Sequence, residues 1–217
     1  LMILNPDAWW TAAVMKGVER VLLKDPKAIL ILNDDVFFDE YFIESMMDSL
    51  NEFKDSIIVP SQLDQRGNIF NGFKLNGYFR EWKPVDLDLK ENHTEIDIGN
   101  GCAVLIPSKI LKNISLFNEL LCPHYGGDVY MFLRARKSKI KIHVASSIKI
   151  FQTSTTDPNS KMNRSNVLVY KGSIFHLKTH WAIGNLIYPK IIEKMLFGAK
   201  YYASFWWRLI RALRRTY

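Results

Sequence analysis

The stretch AILILNDDVFFD, residues 28–39, begins with an apolar run of strand length that leads directly into Asn33, Asp34 and Asp35. An uninterrupted apolar run of this length is typical of a strand that a sheet buries on both faces. Adjacent carboxylates repel each other, and a buried carboxylate is costly unless something positive compensates its charge. The stretch therefore predicts a buried strand whose carboxyl end holds a ligand.

The segments on either side of this strand alternate between helical and strand patterns. Valines recur at helical spacing over residues 11–24, and the pattern from Tyr41 to Phe53 predicts a second helix with Asp39 as its N-cap. The run SIIVP predicts another short buried strand that ends at Pro60. The order helix, strand, helix, strand favours an α/β fold with parallel strands.

Later segments continue this organisation. Residues 61–95 contain glycines among polar and aromatic residues and predict loops and short hairpins that shape a pocket. We expect a strand in GCAVLIP, a helix over residues 126–138, and two short strands in IKIHV and SIKIF. From Val167 onward the pattern is helical and aromatic.

The composition is that of a globular chain. Of 217 residues, 48% are hydrophobic and 24% are charged, and no apolar run is long enough to predict a membrane-spanning helix. The two cysteines, Cys102 and Cys122, do not form a disulfide framework. A reducing, cytoplasmic setting is therefore expected.

The net charge of +7 is concentrated near the C-terminus. Between Lys178 and Tyr217, eight lysines and arginines stand against Glu193 alone, which favours an anionic partner. We interpret the segment as an interfacial helix on the inner face of a membrane, with Leu196, Tyr202, Phe205, Trp206, Leu209 and Leu213 on its apolar side. The alternative is a helix packed on the rest of the chain or on a second subunit, and nucleic acid ranks below both because no base-reading motif accompanies the cations.

Two acidic constellations suggest chemistry. Asn33 and Asp35 point in one direction from an extended chain and supply the hard oxygen ligands that Mg²⁺ or Mn²⁺ prefers, although Asp34 and Asp35 could instead be a cap and a solvated turn residue. Asp128 lies near the start of the predicted helix at 126–138. There a carboxylate either stabilises the helix N-terminus or acts as a general base.

Four segments, in this order and spacing, resemble the GT-A glycosyltransferases of family 2, in the inverting bacterial branch that decorates surface polysaccharides. They are WWTAAVMKGVERVL, ILILNDDV, IDIGNGCAVLIPSKIL and LFNELLCPHYGGDVYMFLRARKSKIKIHV, and the resemblance covers residues 5–152. It implies a Rossmann-like, mostly parallel sheet flanked by helices. It also implies transfer of a sugar from a nucleotide diphosphate sugar to a glycan or lipid-linked acceptor.

The resemblance also assigns roles to residues. Asn33, Asp34 and Asp35 match the DxD motif that binds the donor, with Asp35 on a divalent metal ion, and Asp128 matches the general base. Acceptor contacts are expected from Asn100, Gly101, His124 and Tyr125.

Two further residues are candidates from their own chemistry. Gly17 is unfavourable in mid-helix, which indicates close packing or a wall of the donor cleft. Trp82 could stack on an acceptor sugar, although a lone loop tryptophan is more often simply half-buried.

Several positions depart from the family pattern. The first strand of the family is absent, so we expect a fragment that lacks it. Met15 replaces a common Asn, Gly127 replaces an acid, and Phe151 and Gln152 stand where many members have a metal-binding His. These departures leave open a non-catalytic, degenerate transferase that binds a membrane or a partner. We expect a catalytic domain over residues 1–165 and a helical segment over 166–217.

Overall fold

The structure of the chain is a computed structural model that describes residues 9–64, 66–77, 80–86, 92–152, 168–169 and 173–215, with the side chains of 196–197 and 213–215 excepted. The chain divides into two compact units. The sheet unit comprises Val14–Leu116 and Met131–Thr155, and the helical unit comprises Leu1–Ala13, Phe117–Tyr130 and Thr156–Tyr217. The predicted domain boundary at residue 165 lies outside the described residues and stays a prediction.

Nine strands and seven α-helices occur in the described part of the chain, together with one π-helical turn. The strands are β1 Ala28–Leu32, β2 Val36–Phe37, β3 Ile57–Leu63, β4 Ile69–Phe70, β5 Phe73–Asn76, β6 Glu81–Pro84, β7 His93–Ile96, β8 Ala103–Pro107 and β9 Ile142–Gln152. The helices are α1 Trp10–Leu22, α2 Phe42–Glu52, α3 Ser108–Asn113, α4 Gly127–Lys137, α5 Leu177–Ile187, α6 Ile191–Glu193, the π turn Lys194–Gly198 and α7 Ala199–Arg215.

The fold is mixed α/β, and its main sheet has the strand order β1-β8-β3-β9-β2. β8 pairs antiparallel with both β1 and β3, whereas β3 and β9 pair in parallel. β1, β3 and β9 therefore run in one direction, and β8 is inserted between β1 and β3 in the opposite direction. The predicted common direction is therefore confirmed for β1, β3 and β9. Most neighbouring strands in the sheet nevertheless pair antiparallel, because β8 separates β1 from β3.

Two strand boundaries predicted from the sequence are wrong. β3 does not end at Pro60 but continues to Leu63, and the two short strands predicted in 140–151 form the single strand β9. The register between β3 and β9 shifts at Pro60/Ser61, where Pro60 pairs with Ala145 and Ser61 with Lys149. Proline has no N–H to donate to a neighbouring strand, and it is tolerated where the regular pairing is interrupted by a bulge. The strand can therefore continue past Pro60.

The core of the sheet unit explains the periodicity of α2. Phe42, Met46 and Leu50 recur at intervals of four, lie on one face of the helix and are almost completely buried. They cluster with Ile58 of β3 and Leu105 of β8. The polar side of α2 stays exposed, as the amphipathic pattern predicts.

The helical unit has a separate core around α7. Phe205 and Leu209 are buried together with Phe175, and Phe205 has an exposed fraction of 0%. The prediction that Phe205 and Leu209 face a membrane is therefore wrong, because both side chains fill the core of the helical unit. The side chains of Leu196 and Leu213 lie outside the described residues. No helix in the described part of the chain is long and apolar enough to cross a membrane.

Candidate active site

The first candidate residues follow the carboxyl end of β1. The Asn33 backbone N–H donates to the Cys102 carbonyl at 2.9 Å, and the chain then turns into β2, where Val36 lies opposite Gln152 of β9. Asp34 is exposed, whereas Asn33 and Asp35 are half-buried. Asp35 is thus held at the edge of the sheet where ligands of open α/β folds bind.

Gln152 contacts the Asp35 carboxylate directly. Its Nε2 donates to Asp35 Oδ2 at 2.9 Å, and its Oε1 accepts from Gln62 Nε2 at 2.8 Å. Cys102 Sγ donates to the same Gln152 Oε1 at 3.3 Å. The amide that replaces the expected metal-binding His therefore orients the acid proposed as a metal ligand.

The donor groups around Asp35 fit a divalent ion that substrate oxygens also ligate. The Asp35 carboxylate and the amide oxygen of Asn33 are hard ligands of the kind that Mg²⁺ and Mn²⁺ prefer, whereas Gln152 turns its N–H toward Asp35 and its oxygen toward Gln62. Among the described residues, no three His, Cys, Asp or Glu side chains form a group that could hold a metal ion. Such an ion would therefore depend on diphosphate oxygens and water for the rest of its coordination.

Asp128 lies in the first turn of α4, in the helical unit. Its Oδ1 accepts from the Val129 backbone N–H at 2.8 Å. The carboxyl group lies among protein atoms although the residue as a whole is half-buried, and this burial raises the pKa of Asp128 above its ordinary value. A carboxylate with a raised pKa is a stronger base than an exposed one, which suits proton abstraction.

The glycines before Asp128 are required by packing. A Cβ on Gly127 would lie 2.5 Å from Thr11 Oγ1 and 3.1 Å from the Trp10 ring. Gly126 has a φ of +81°, a backbone conformation that other residues adopt at a cost. The resemblance leads to the expectation of an acid at position 127. The close approach of Thr11 and Trp10 accounts for the glycine that is found there instead.

His124 and Tyr125, predicted to contact the acceptor, lie in the same unit as Asp128. The His124 ring is 5.2 Å from the Trp9 ring and 4.5 Å from the Tyr125 ring, between centroids. Its Nδ1 is buried and has no hydrogen-bond partner among the described residues. Burial lowers the pKa of His124, so the ring is neutral near pH 7.

Asn100 makes structural hydrogen bonds in the sheet unit. Its Nδ2 donates to the Pro60 carbonyl at 2.8 Å, and its Oδ1 accepts from the N–H groups of Cys102 and Ala103 at 3.2 and 3.4 Å. Both Asn100 and the following Gly101 are buried. These bonds account for an amide at position 100, and the acceptor contact of both residues stays a prediction.

The other two candidates lie on different elements. Gly17 is in the middle of α1, and a Cβ there would meet nothing within 4 Å, so close packing does not explain this glycine. Trp82 is in β6 of the separate two-stranded sheet, 37% exposed, with its ring 5.5 Å from that of Phe73. Their roles in binding stay predictions.

A cavity of about 520 Å³ in the helical unit was not predicted. Its walls include Trp9, Leu120, Pro123, Leu168 and Leu177, with Lys178 among the polar groups. The lining residues come from three distant segments without a shared motif, so no local signal in the sequence identifies it. For Gln152 a signal did exist, since the family that the sequence resembles often has a metal-binding His at this position.

Comparison with known proteins supports the fold. The sequence matches no family model and no curated protein. Among solved structures, GalNAc-T7 with UDP, GalNAc and Mn²⁺ has a TM-score of 0.55 at 12% identity, and the likeness covers 70% of this chain and 32% of that one. A197 from STIV has a TM-score of 0.51 at 16% identity, over 70% of this chain and 72% of that one.

These likenesses establish the class of fold. The mixed sheet flanked by helices is a GT-A-like fold, shared with a glycosyltransferase. The chain spans about a third of the length of GalNAc-T7.

Proposed function

We propose that this protein is an inverting GT-A glycosyltransferase of family 2, of hexosyl or rhamnosyl type. It transfers one sugar from a nucleotide diphosphate sugar to a glycan or lipid-linked acceptor in polysaccharide biosynthesis. The observation that carries the proposal is the position of Asp35, at the carboxyl end of β1 in a fold shared with a UDP- and Mn²⁺-containing transferase.

In the proposed reaction, Asp128 takes the proton from an acceptor hydroxyl. The acceptor oxygen forms a bond to the anomeric carbon of the donor sugar as the bond from that carbon to the diphosphate breaks. The electron pair of the broken bond leaves with the nucleoside diphosphate. The raised pKa of Asp128 supports this role, because it favours the protonated carboxylic acid that forms when Asp128 takes the proton.

Asp35 is the proposed protein ligand of a divalent ion, with Asn33 and Asp34 beside the donor. When bound, such an ion neutralises charge that develops on the leaving diphosphate. The hydrogen bond from Gln152 fixes the rotamer of Asp35 before substrate arrives.

The first test is a thermal-shift panel with UDP, dTDP, GDP and CMP, each with Mn²⁺ or EDTA. We expect one nucleotide to stabilise the chain, and to do so chiefly with Mn²⁺. Asp35→Ala should remove the metal-dependent part of the shift. Asp48→Ala, which removes an exposed carboxylate on α2, is the matched control and should retain it.

Product analysis tests inversion. With the donor class identified, proton NMR of the product should show the opposite anomeric configuration to that of the donor. Retention of configuration would reject Asp128 as the base of a single-displacement reaction.

A non-catalytic binding module is the second candidate. The Gln152–Asp35 hydrogen bond favours it, because an amide N–H already occupies one carboxylate oxygen that an ion would use. No shift with any nucleotide, with or without metal, together with an intact thermal transition, would support this alternative.

The proposal includes a peripheral position at the inner face of a membrane. The surplus of cations in the C-terminal segment supports it, since anionic headgroups attract such segments.

A further inference from the structure

Six of the described large apolar side chains between residues 191 and 210 are exposed, and we call this segment the docking segment. Ile191, Ile192 and Met195 have exposed fractions of 75%, 65% and 75%. Trp206, Trp207 and Ile210 follow in α7 at 44%, 53% and 41%. Single exposed apolar residues are ordinary, but a concentration in one short helical segment marks an interaction surface.

This surface is distinct from the side of α7 that fills the core. Phe205 and Leu209 are buried against Phe175, so they are not available to a partner. Ile191 and Met195 are four residues apart, as are Trp206 and Ile210, and helical residues at this spacing share a face. These exposed residues therefore recur at helical spacing, as expected for a helix that presents one apolar face to a partner.

The charge of the docking segment selects the partner. Five exposed cations lie within the docking segment or directly beside it, namely Lys190, Lys194, Lys200, Arg208 and Arg211. The guanidinium of Arg211 lies 4.9 Å from the centroid of the Trp207 ring. Tryptophan beside arginine is favoured at the boundary between headgroups and acyl chains, where the ring is partly desolvated and the cation meets phosphate.

We infer that the docking segment binds the surface of a bilayer that contains anionic lipid, with Ile191, Ile192 and Met195 inserted among the acyl chains. The basic side chains contact headgroup phosphates. Exposed aliphatic side chains are stabilised among acyl chains and gain nothing from a phosphate backbone alone, which is why a lipid surface fits better. This deepens the membrane contact in the proposed function, and it does not depend on glycosyl transfer.

The test is co-sedimentation of the full chain with vesicles. We expect binding to equimolar phosphatidylglycerol and phosphatidylcholine, and binding at least about tenfold weaker to phosphatidylcholine alone. The variant Ile191→Ser/Ile192→Ser/Met195→Ser should bind the anionic vesicles at least about tenfold less tightly. Leu23→Ser, at a residue with an exposed fraction of 78%, is the matched control and should bind like the parent chain.

Two further measurements keep the test decisive. Lys194→Glu/Lys200→Glu should weaken anionic binding by about tenfold or more, and added salt should reduce the difference between this variant and the parent. Brominated lipid should quench the tryptophan fluorescence of the parent chain, and Trp206→Phe/Trp207→Phe should lose most of that quenching.

Certain outcomes would overturn the inference. These are equal binding to both vesicle types, a triple serine variant that binds like the parent, or tighter binding to duplex DNA than to anionic vesicles. None of these outcomes affects the nucleotide panel, so failure of the membrane inference is distinguishable from failure of the proposed transferase.

Discussion

At the scale of single residues, Gln152 has the most direct influence on the candidate donor site. Its amide hydrogen-bonds Asp35 and is itself held by Gln62 and Cys102. A hydrogen bond to a charged group contributes about 1.5–3 kcal/mol, so this contact decides how Asp35 is presented.

Gln152→Glu should place a second carboxylate beside Asp35. Without metal we expect a loss of about 1–3 kcal/mol in the free energy of unfolding, since a favourable hydrogen bond becomes a repulsion. Mn²⁺ should stabilise this variant more than the parent, because a cation compensates both charges. Urea unfolding in EDTA and in Mn²⁺ measures both effects, and the double variant Asp35→Asn/Gln152→Glu should lose the enhanced response to metal. An equal response of Gln152→Glu and the parent would contradict the proximity of Asp35 to a cation site.

Asp128→Asn tests the base and its buried charge together. Transfer should be abolished while the nucleotide-dependent thermal shift is retained. Because burial raises the pKa of Asp128, ionisation weakens the native state as pH rises through that pKa, and the uncharged amide should increase stability at neutral pH. Transfer assays and thermal unfolding at pH 7 check the two effects. Retained transfer would reject the base, and lower stability would contradict the burial of the charge.

At the scale of elements, two helical glycines differ in what surrounds them. Gly127 at the start of α4 is confined by Thr11 and Trp10, whereas Gly17 in α1 faces open space. The same substitution should therefore have opposite effects at the two positions.

Gly127→Ala should destabilise the chain by about 1–3 kcal/mol, because the added Cβ forces neighbouring atoms to move. Gly17→Ala should stabilise it by about 0.5–1 kcal/mol through helix propensity. Urea unfolding of the two variants and the parent measures the contrast.

The nucleotide panel on Gly17→Ala tests the predicted donor role of this residue. A reduced nucleotide shift in spite of higher stability would support a position in the wall of the donor cleft. An unchanged shift would remove Gly17 from the donor site.

At the scale of the whole molecule, buried and half-buried histidines should make the fold sensitive to acid. Burial lowers the pKa values of His124, His143 and His180 below their ordinary value. His143 is 7% exposed, its ring stacks on Phe53 at 4.1 Å between centroids, and neither ring nitrogen has a hydrogen-bond partner among the described residues. These histidines favour the native state only while they are neutral.

Stability should therefore fall as the pH decreases below about 6.5, where the unfolded chain binds protons that the native chain excludes. Each such histidine contributes up to about 1.4 kcal/mol per pH unit in the window between its native and unfolded pKa values. His143→Phe keeps a ring on Phe53 and should reduce the slope. Urea unfolding between pH 7 and pH 5 measures it, with the exposed substitution Leu23→Ser as the control. An equal slope in His143→Phe and the parent would contradict this account of His143.

Local sequence patterns predict several of the elements and point to the candidate acids. The apolar run of β1, the amphipathic period of α2 and the glycine-opened helix α4 are local patterns, and each is reflected in the structure because its cause lies in neighbouring residues. The α/β class follows from their alternation. The position of Asn33–Asp35 at the carboxyl end of a strand also follows from order along the chain alone.

Features that join segments far apart in the chain are visible only in the tertiary structure. The antiparallel insertion of β8, the passage of β3 through Pro60 and the Gln152–Asp35 hydrogen bond join segments far apart in sequence. The same holds for α7, where one apolar side fills the core and another stays exposed. Periodicity shows that a helix has apolar residues, but only the packing of the other segments decides which of those residues they cover.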